Sequence, residues 1–142
     1  MRLDDLRKAP FHLDAEALAW VKRTLGKLSL RAKLGQMMLP LSANLTEEGL
    51  DPLLKAGVGG LFRPAGMPVG LVRESTAYLH ARSKVPMIMA SDIEFSEKDS
   101  IGGGTPFPGQ MAVGAAGEVE WARRMGTLAA REGRYCGTRW SV

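Results

Sequence analysis

Pro86-Met87-Ile88-Met89-Ala90-Ser91-Asp92-Ile93-Glu94-Phe95 is the stretch that decides the fold. Four apolar residues in a row, 87 to 90, follow a proline that closes a turn and run straight into two acids. Uninterrupted rather than alternating hydrophobicity implies a strand buried on both faces, as in a parallel sheet covered by helices. The flanking segments read accordingly. Pro68 begins a helix with Leu71, Val72, Ser75, Thr76 and Leu79 on one face and Arg73, Glu74 and Arg82 on the other. Before it, Val58-Gly59-Gly60-Leu61-Phe62 reads as another strand, whose glycines mark a close approach by an element or a ligand.

Further upstream, Leu50, Leu53 and Leu54 form an apolar helix face ended by Gly57 at the C′ position. Two starts fit this helix: a first turn at Thr46-Glu47-Glu48, or Asp51 as cap with Pro52 at the first helical position. Met37-Met38-Leu39-Pro40-Leu41 reads as a first, buried strand. Asp14 caps a helix carrying Ala17, Leu18, Val21 and Leu25, and Ser29 caps a shorter one with Leu30 and Leu34. Downstream, a loop from about Phe95 to Gly117 leads to a helix from Glu118 to about Gly137, striped by Trp121, Ala122, Met125, Leu128 and Ala129. Thr138 to Val142 opens one more strand. The order β-α-β-α-β-loop-α-β predicts an α/β fold with right-handed crossovers and a parallel sheet. One domain covers 1–142, with 1–27 as lead-in and helix and 28–142 as β/α units.

At 142 residues the chain can bury a real core, but it is too short for a complete eight-fold β/α barrel of about 250 residues. No apolar run approaches the roughly 20 residues of a membrane span. The charged N-terminus lacks a signal-peptide core, so a cytoplasmic protein without membrane partners is expected. The net charge of +4 comes from basic residues scattered among acids, without an aromatic-studded basic stripe, so no nucleic acid partner is expected. A lone Cys136 forms no internal disulfide, and no metal site or cofactor is indicated.

Ligands of β/α folds bind at the carboxyl ends of strands, and there Asp92 and Glu94 stand two residues apart. If the strand continues, both face one side. Such a pair accepts hydrogen bonds from sugar hydroxyls, binds a cation, or works as acid and base; equally, it is a strand turning polar as it surfaces. Arg63, just past its strand, either reaches an anionic or hydroxylated ligand or makes a surface salt bridge. Gly57 to Gly60 lacks the spacing of a dinucleotide fingerprint, and Gly102-Gly103-Gly104-Thr105-Pro106 is a demanding turn rather than a phosphate loop. His12, His80 and the methionines read as surface or core residues, and Ser91 and Ser96 lack a nucleophile elbow.

Taken in order, these segments resemble glycoside hydrolase family 3. Leu28-Ser29-Leu30-Arg31-Ala32-Lys33-Leu34-Gly35-Gln36-Met37 is similar to the helix leading into its barrel, and Gly57 to Leu61 to its second strand. Pro86 to Phe95 resembles the third strand with its acidic turn, and Gly104 to Pro108 with Met111 to Ala115 the loop that follows. Ala129-Ala130-Arg131-Glu132-Gly133 and Gly137-Thr138-Arg139-Trp140 resemble the next helix and the lead into strand four. The resemblance implies parallel β/α units forming about half of a TIM (β/α)8 barrel, from a retaining, exo-acting β-glycosidase. It implies that Asp92 binds hydroxyls of the terminal sugar, with Glu94 in support. Phe95-Ser96 and the inserted Glu97-Lys98-Asp99-Ser100 depart from the family's glycines and alter the rim. The family's nucleophile and acid/base fall beyond Val142, so no catalytic residue is expected here and the chain alone is expected to be inactive. A half-barrel is expected to self-associate, to pair with a complementary chain, or to be marginally stable. Competing readings are a non-catalytic carbohydrate-binding or interaction module, and an open flavodoxin-like sheet binding a nucleotide or metal.

Overall fold

The apolar stretch at 87–90 lies at the centre of a three-stranded parallel sheet in the computed structural model, which describes residues 2–93 and 102–141. Strand β2 (Ile88–Ser91) runs between β1 (Gly60–Arg63) and β3 (Trp140–Ser141), in sheet order β1-β2-β3. Register pairs Phe62 with Ala90 and Ala90 with Trp140. Six helices accompany the strands among the described residues: α1 (Ala15–Lys27), α2 (Leu30–Gln36), α3 (Glu47–Ala56), α4 (Val69–Arg82), α5 (Gln110–Ala115) and α6 (Val119–Tyr135). Leu3–Arg7 adds a 3-10 turn.

The helix starts are set by side-chain oxygens that satisfy free backbone N–H groups. Asp14 Oδ1 accepts from Ala17 N at 2.8 Å and Ser29 Oγ from Ala32 N at 3.2 Å. At α3 the two possible starts are resolved by Thr46 Oγ1, which accepts from Gly49 N at 3.2 Å. Pro52 therefore lies inside α3 and Asp51 is no cap. Its missing N–H leaves one carbonyl of the exposed side without a helical partner, where water can serve. Gly57 closes α3 in the left-handed region at φ 69°, as its C′ placement requires.

The sheet buries one face. Leu61 and Met89, both fully buried, meet Leu50 of α3, Val72 and Leu79 of α4, and Cys136 just after α6. Each such side chain contributes about 1.5–3 kcal/mol by leaving water. The alternate residues point the other way, and there Ile88 is 48% and Trp140 52% exposed. On that second face Ala90 is fully buried while Ile88 and Trp140 lie open, so the expectation of burial on both faces holds there only in part, because the core elements α3 and α4 lie on the Leu61 side.

Three expectations are corrected. Residues 37–41 form no full strand: Leu41 bridges Phe62 in parallel, and Phe62 N donates to Pro40 O at 2.9 Å. Pro40 lacks an N–H, which interrupts the ladder, and Met37 and Leu41 are exposed rather than buried. The segment expected to be loop contains α5, a helix too short to show a period. On α1 only Leu18 is buried, and on α6 Trp121 and Ala122 are exposed while Met125 is buried.

Candidate functional site

Asp92 follows β2 directly, at the carboxyl end of the sheet, and is half-buried. Its neighbours show which way it faces. Ser91 is buried, and Ile93 packs with Val113 and Met125 beneath α5 and α6. Alternation thus puts Asp92 with Ile88 and Ala90 on the face that the core helices leave open. Register adds Phe62, Leu41 and Trp140 to that face in one row. Among the described residues no ion pair occupies the Asp92 carboxylate. Glu94, the second acid of the pair, lies outside the described residues.

Arg63 differs from both readings of its sequence position. It ends β1 opposite Ser91, but it is 1% exposed and makes no salt bridge among the described residues. Leu61 and Arg63 are two apart on one strand, so they share the helix-facing side. Arg63 Nη2 donates to Ser75 Oγ at 3.1 Å, and that hydroxyl donates onward to Val72 O at 3.0 Å. Among the described residues Nε and Nη1 have no partner. Burial holds the guanidinium below its ordinary value, to about 10. The period-two pattern of β1 carried this signal, because an arginine in phase with a core leucine must be buried.

Nearby, Thr76 Oγ1 lies 2.7 Å from Val72 O and 3.1 Å from Cys136 O, tying α4 to the end of α6. Burial pushes the Cys136 thiol up, against the opposing pull of Arg73 and Arg63. Arg73 is itself engaged, donating to Tyr135 Oη at 2.8 Å with its guanidinium over the same ring. His80 Nε2 meets Met87 O at 3.1 Å, and His12 is an exposed turn residue at φ 49°. Gly103, at φ 97°, occupies a turn open to glycine beside the start of α4, where Gly102 bridges Pro68. Among the described residues no group of three or more His, Cys, Asp or Glu is placed to hold a metal ion. No described helix is long and apolar enough to cross a membrane.

A groove of about 630 Å³ runs between α5 and α6, walled by Ile93, Val113, Val119, Ala122, Met125 and Ala129 among others. Asp92 is not part of its wall, and its lining is mostly apolar, so it offers shape without convergent chemistry.

Sequence and structure comparisons extend this geometry. The beta-N-acetylglucosaminidase/beta-glucosidase of Cellulomonas fimi is 29% identical over 138 residues, covering 96% of this chain and 24% of that protein. A solved structure of beta-glucoside phosphorylase BglX superposes with a TM-score of 0.83 at 26% identity, covering 99% of this chain and 25% of the other. The same phosphorylase bound to 2FGlc gives 0.86 at 27% identity, over 99% and 26% of the two chains. The chain thus spans about a quarter of the length of these relatives. The profile of the glycosyl hydrolase family 3 N terminal domain matches residues 29–142, and the chain belongs to that family.

Proposed function

We propose that this chain is the sugar-binding part of an exo-acting β-glycosidase, about half of a (β/α)8 barrel, in which Asp92 holds hydroxyls of the terminal β-linked sugar. The observation that carries this reading is the position of Asp92: the carboxyl end of a parallel strand, on the open face, with no ion-pair partner among the described residues. A carboxylate there accepts hydrogen bonds from two neighbouring hydroxyls, and charge-assisted bonds of this kind contribute about 1.5–3 kcal/mol each. Glu94 is assigned a supporting role in the same turn. The relatives' names share a β-glucoside, and one adds an N-acetylglucosaminide, which fits a common donor-sugar contact.

Retaining glycoside cleavage requires two groups about 5–5.5 Å apart across the scissile bond. Asp92 is assigned to holding the sugar and to neither of these two groups, so the 142-residue chain is expected to bind a sugar without turning it over. The phosphorylase relatives favour a second version, in which phosphate instead of water accepts the glycosyl group in the longer protein. Asp92 serves the donor sugar in both. The open face with exposed Ile88, Trp140 and Leu41 is the side on which further β/α units, from a complementary chain or a second copy, close the barrel.

Titration calorimetry with glucose and N-acetylglucosamine tests the binding role: wild-type heat lost in Asp92→Asn supports it, and unchanged affinity in that variant refutes it. Purified chain should leave aryl β-glucosides and aryl N-acetyl-β-glucosaminides intact. Turnover abolished by Asp92→Ala would overturn the inactivity.

A further inference from the structure

Two consecutive residues of α6 receive the two sides of the connection that follows β2. Glu132 is the first. Its Oε1 accepts from Thr105 N at 3.1 Å and from Thr105 Oγ1 at 2.6 Å, and its Oε2 lies 3.2 Å from the same N. Among the described residues this carboxylate makes no salt bridge, so it is committed to Thr105. Gly133 is the second: Ile93 Cδ1 sits over it, 2.9 Å from where a Cβ would stand. Phe107, two residues past Thr105, packs into the same cluster as Ile93, with Val113, Met125 and Ala129. The connection is held again at the start of α4, where Gly102 N donates to Met67 O at 3.0 Å and Val69 N to Gly102 O at 3.3 Å. Residues 102–105 thus run as a strap from α4 to α6, on the carboxyl side of the sheet, where β1 leads into α4.

We propose that Glu132 is a positioning residue for Asp92, acting through Thr105, Phe107 and Ile93. Successive side chains of an extended segment point to opposite sides, so seating Ile93 outward on α6 turns Asp92 to the open face. Gly133 provides the seat, and Phe107 belongs to the cluster that packs around Ile93. Releasing Thr105 frees the strap that carries Phe107, loosens the packing around Ile93, and lets the Asp92 carboxylate swing. A carboxylate that grips a sugar must be held within about 0.5 Å of its working position, so sugar affinity suffers before the fold does. The bonds to Thr105 are themselves exposed, and water competes for the same groups, which limits what they add to stability. This inference rests on the sugar-binding reading of Asp92 and adds how that side chain is aimed.

Calorimetric glucose titrations of the full 142-residue chain, at a temperature where circular dichroism shows each variant folded, test it. Glu132→Ala should weaken glucose binding about tenfold, the loss of one well-aimed charged hydrogen bond. Thr105→Val removes the 2.6 Å bond and should weaken binding in the same direction, while Thr105→Ser should restore it. The double variant Glu132→Ala/Thr105→Val should bind no more weakly than Glu132→Ala alone. Leu18→Ala, at a buried site on α1, lowers stability away from the strap and should keep wild-type affinity. A loss there as large as in Glu132→Ala means a general effect of stability and overturns the proposal. Unchanged affinity in Glu132→Ala, with binding lost in Asp92→Asn, overturns the proposal and leaves the sugar-binding reading standing. A wild-type chain that takes up no glucose, or an Asp92→Asn chain that binds as well as wild type, overturns that reading and the proposal with it. If Glu132→Ala does not fold, Thr105→Val against Thr105→Ser carries the comparison, and equal affinities overturn the proposal.

Discussion

Replacing Gly59 by alanine is the sharpest test of how the first β/α unit is joined. A Cβ built on Gly59 lies 2.6 Å from the Gln36 carbonyl carbon and 3.0 Å from its Cα, with the carbonyl oxygen closer still. Carbon atoms prefer 3.5–4.0 Å, so the end of α2 and the start of β1 must part by about 1 Å. Both partners are backbone and cannot rotate away. The separation also stretches two hydrogen bonds, from Gly59 N to Gly35 O at 3.0 Å and to Met38 O at 3.1 Å. Overpacking of this kind costs about 1–3 kcal/mol and each strained hydrogen bond about 1 kcal/mol, giving ~3–5 kcal/mol together. A chain of 142 residues has an unfolding entropy of ~0.3 kcal/mol/K, so the midpoint should fall by ~10–17 °C. Thermal unfolding followed by circular dichroism measures this, with Gly126→Ala as the control. No atom lies within 4 Å of a Cβ at Gly126, in the middle of α6, so alanine there should stabilise by ~1 kcal/mol through helix propensity. A Gly59→Ala protein as stable as wild type would refute the argument that this glycine exists for a backbone crossing.

Further outcomes follow from the same structure. Leu61→Ala, at a fully buried position between α3 and α4, should lose ~2–5 kcal/mol in urea unfolding with an unchanged slope. Thr46→Ala should cost about 1 kcal/mol by removing the cap of α3, and Thr46→Ser should restore most of it. The Cys136 thiol is raised in the folded state, so below its ordinary value of about 9 both states are protonated and stability is full. Above pH 9 the unfolded chain ionises first and stability falls with rising pH; Cys136→Ala should lack that slope in a pH series of melts.

What the sequence determined by itself is local and periodic. The caps at Asp14 and Ser29, the left-handed close at Gly57 and the order of parallel units are set by residues within a few positions of one another. Asp92 was legible for the same reason, since an acid ending an apolar strand marks the carboxyl edge wherever the strand packs. The family motifs added the role proposed for Asp92. Tertiary structure decided the rest. It settled that the close approach at Gly59 is Gln36 rather than a ligand, and that Arg63 turns inward beneath α4 instead of outward to a salt bridge. It also left Met37, Leu41 and Ile88 on open surface despite their apolar runs. Burial depends on which elements come to cover a face, and that covering is made by contacts between residues far apart in the chain, to which short-range patterns are blind.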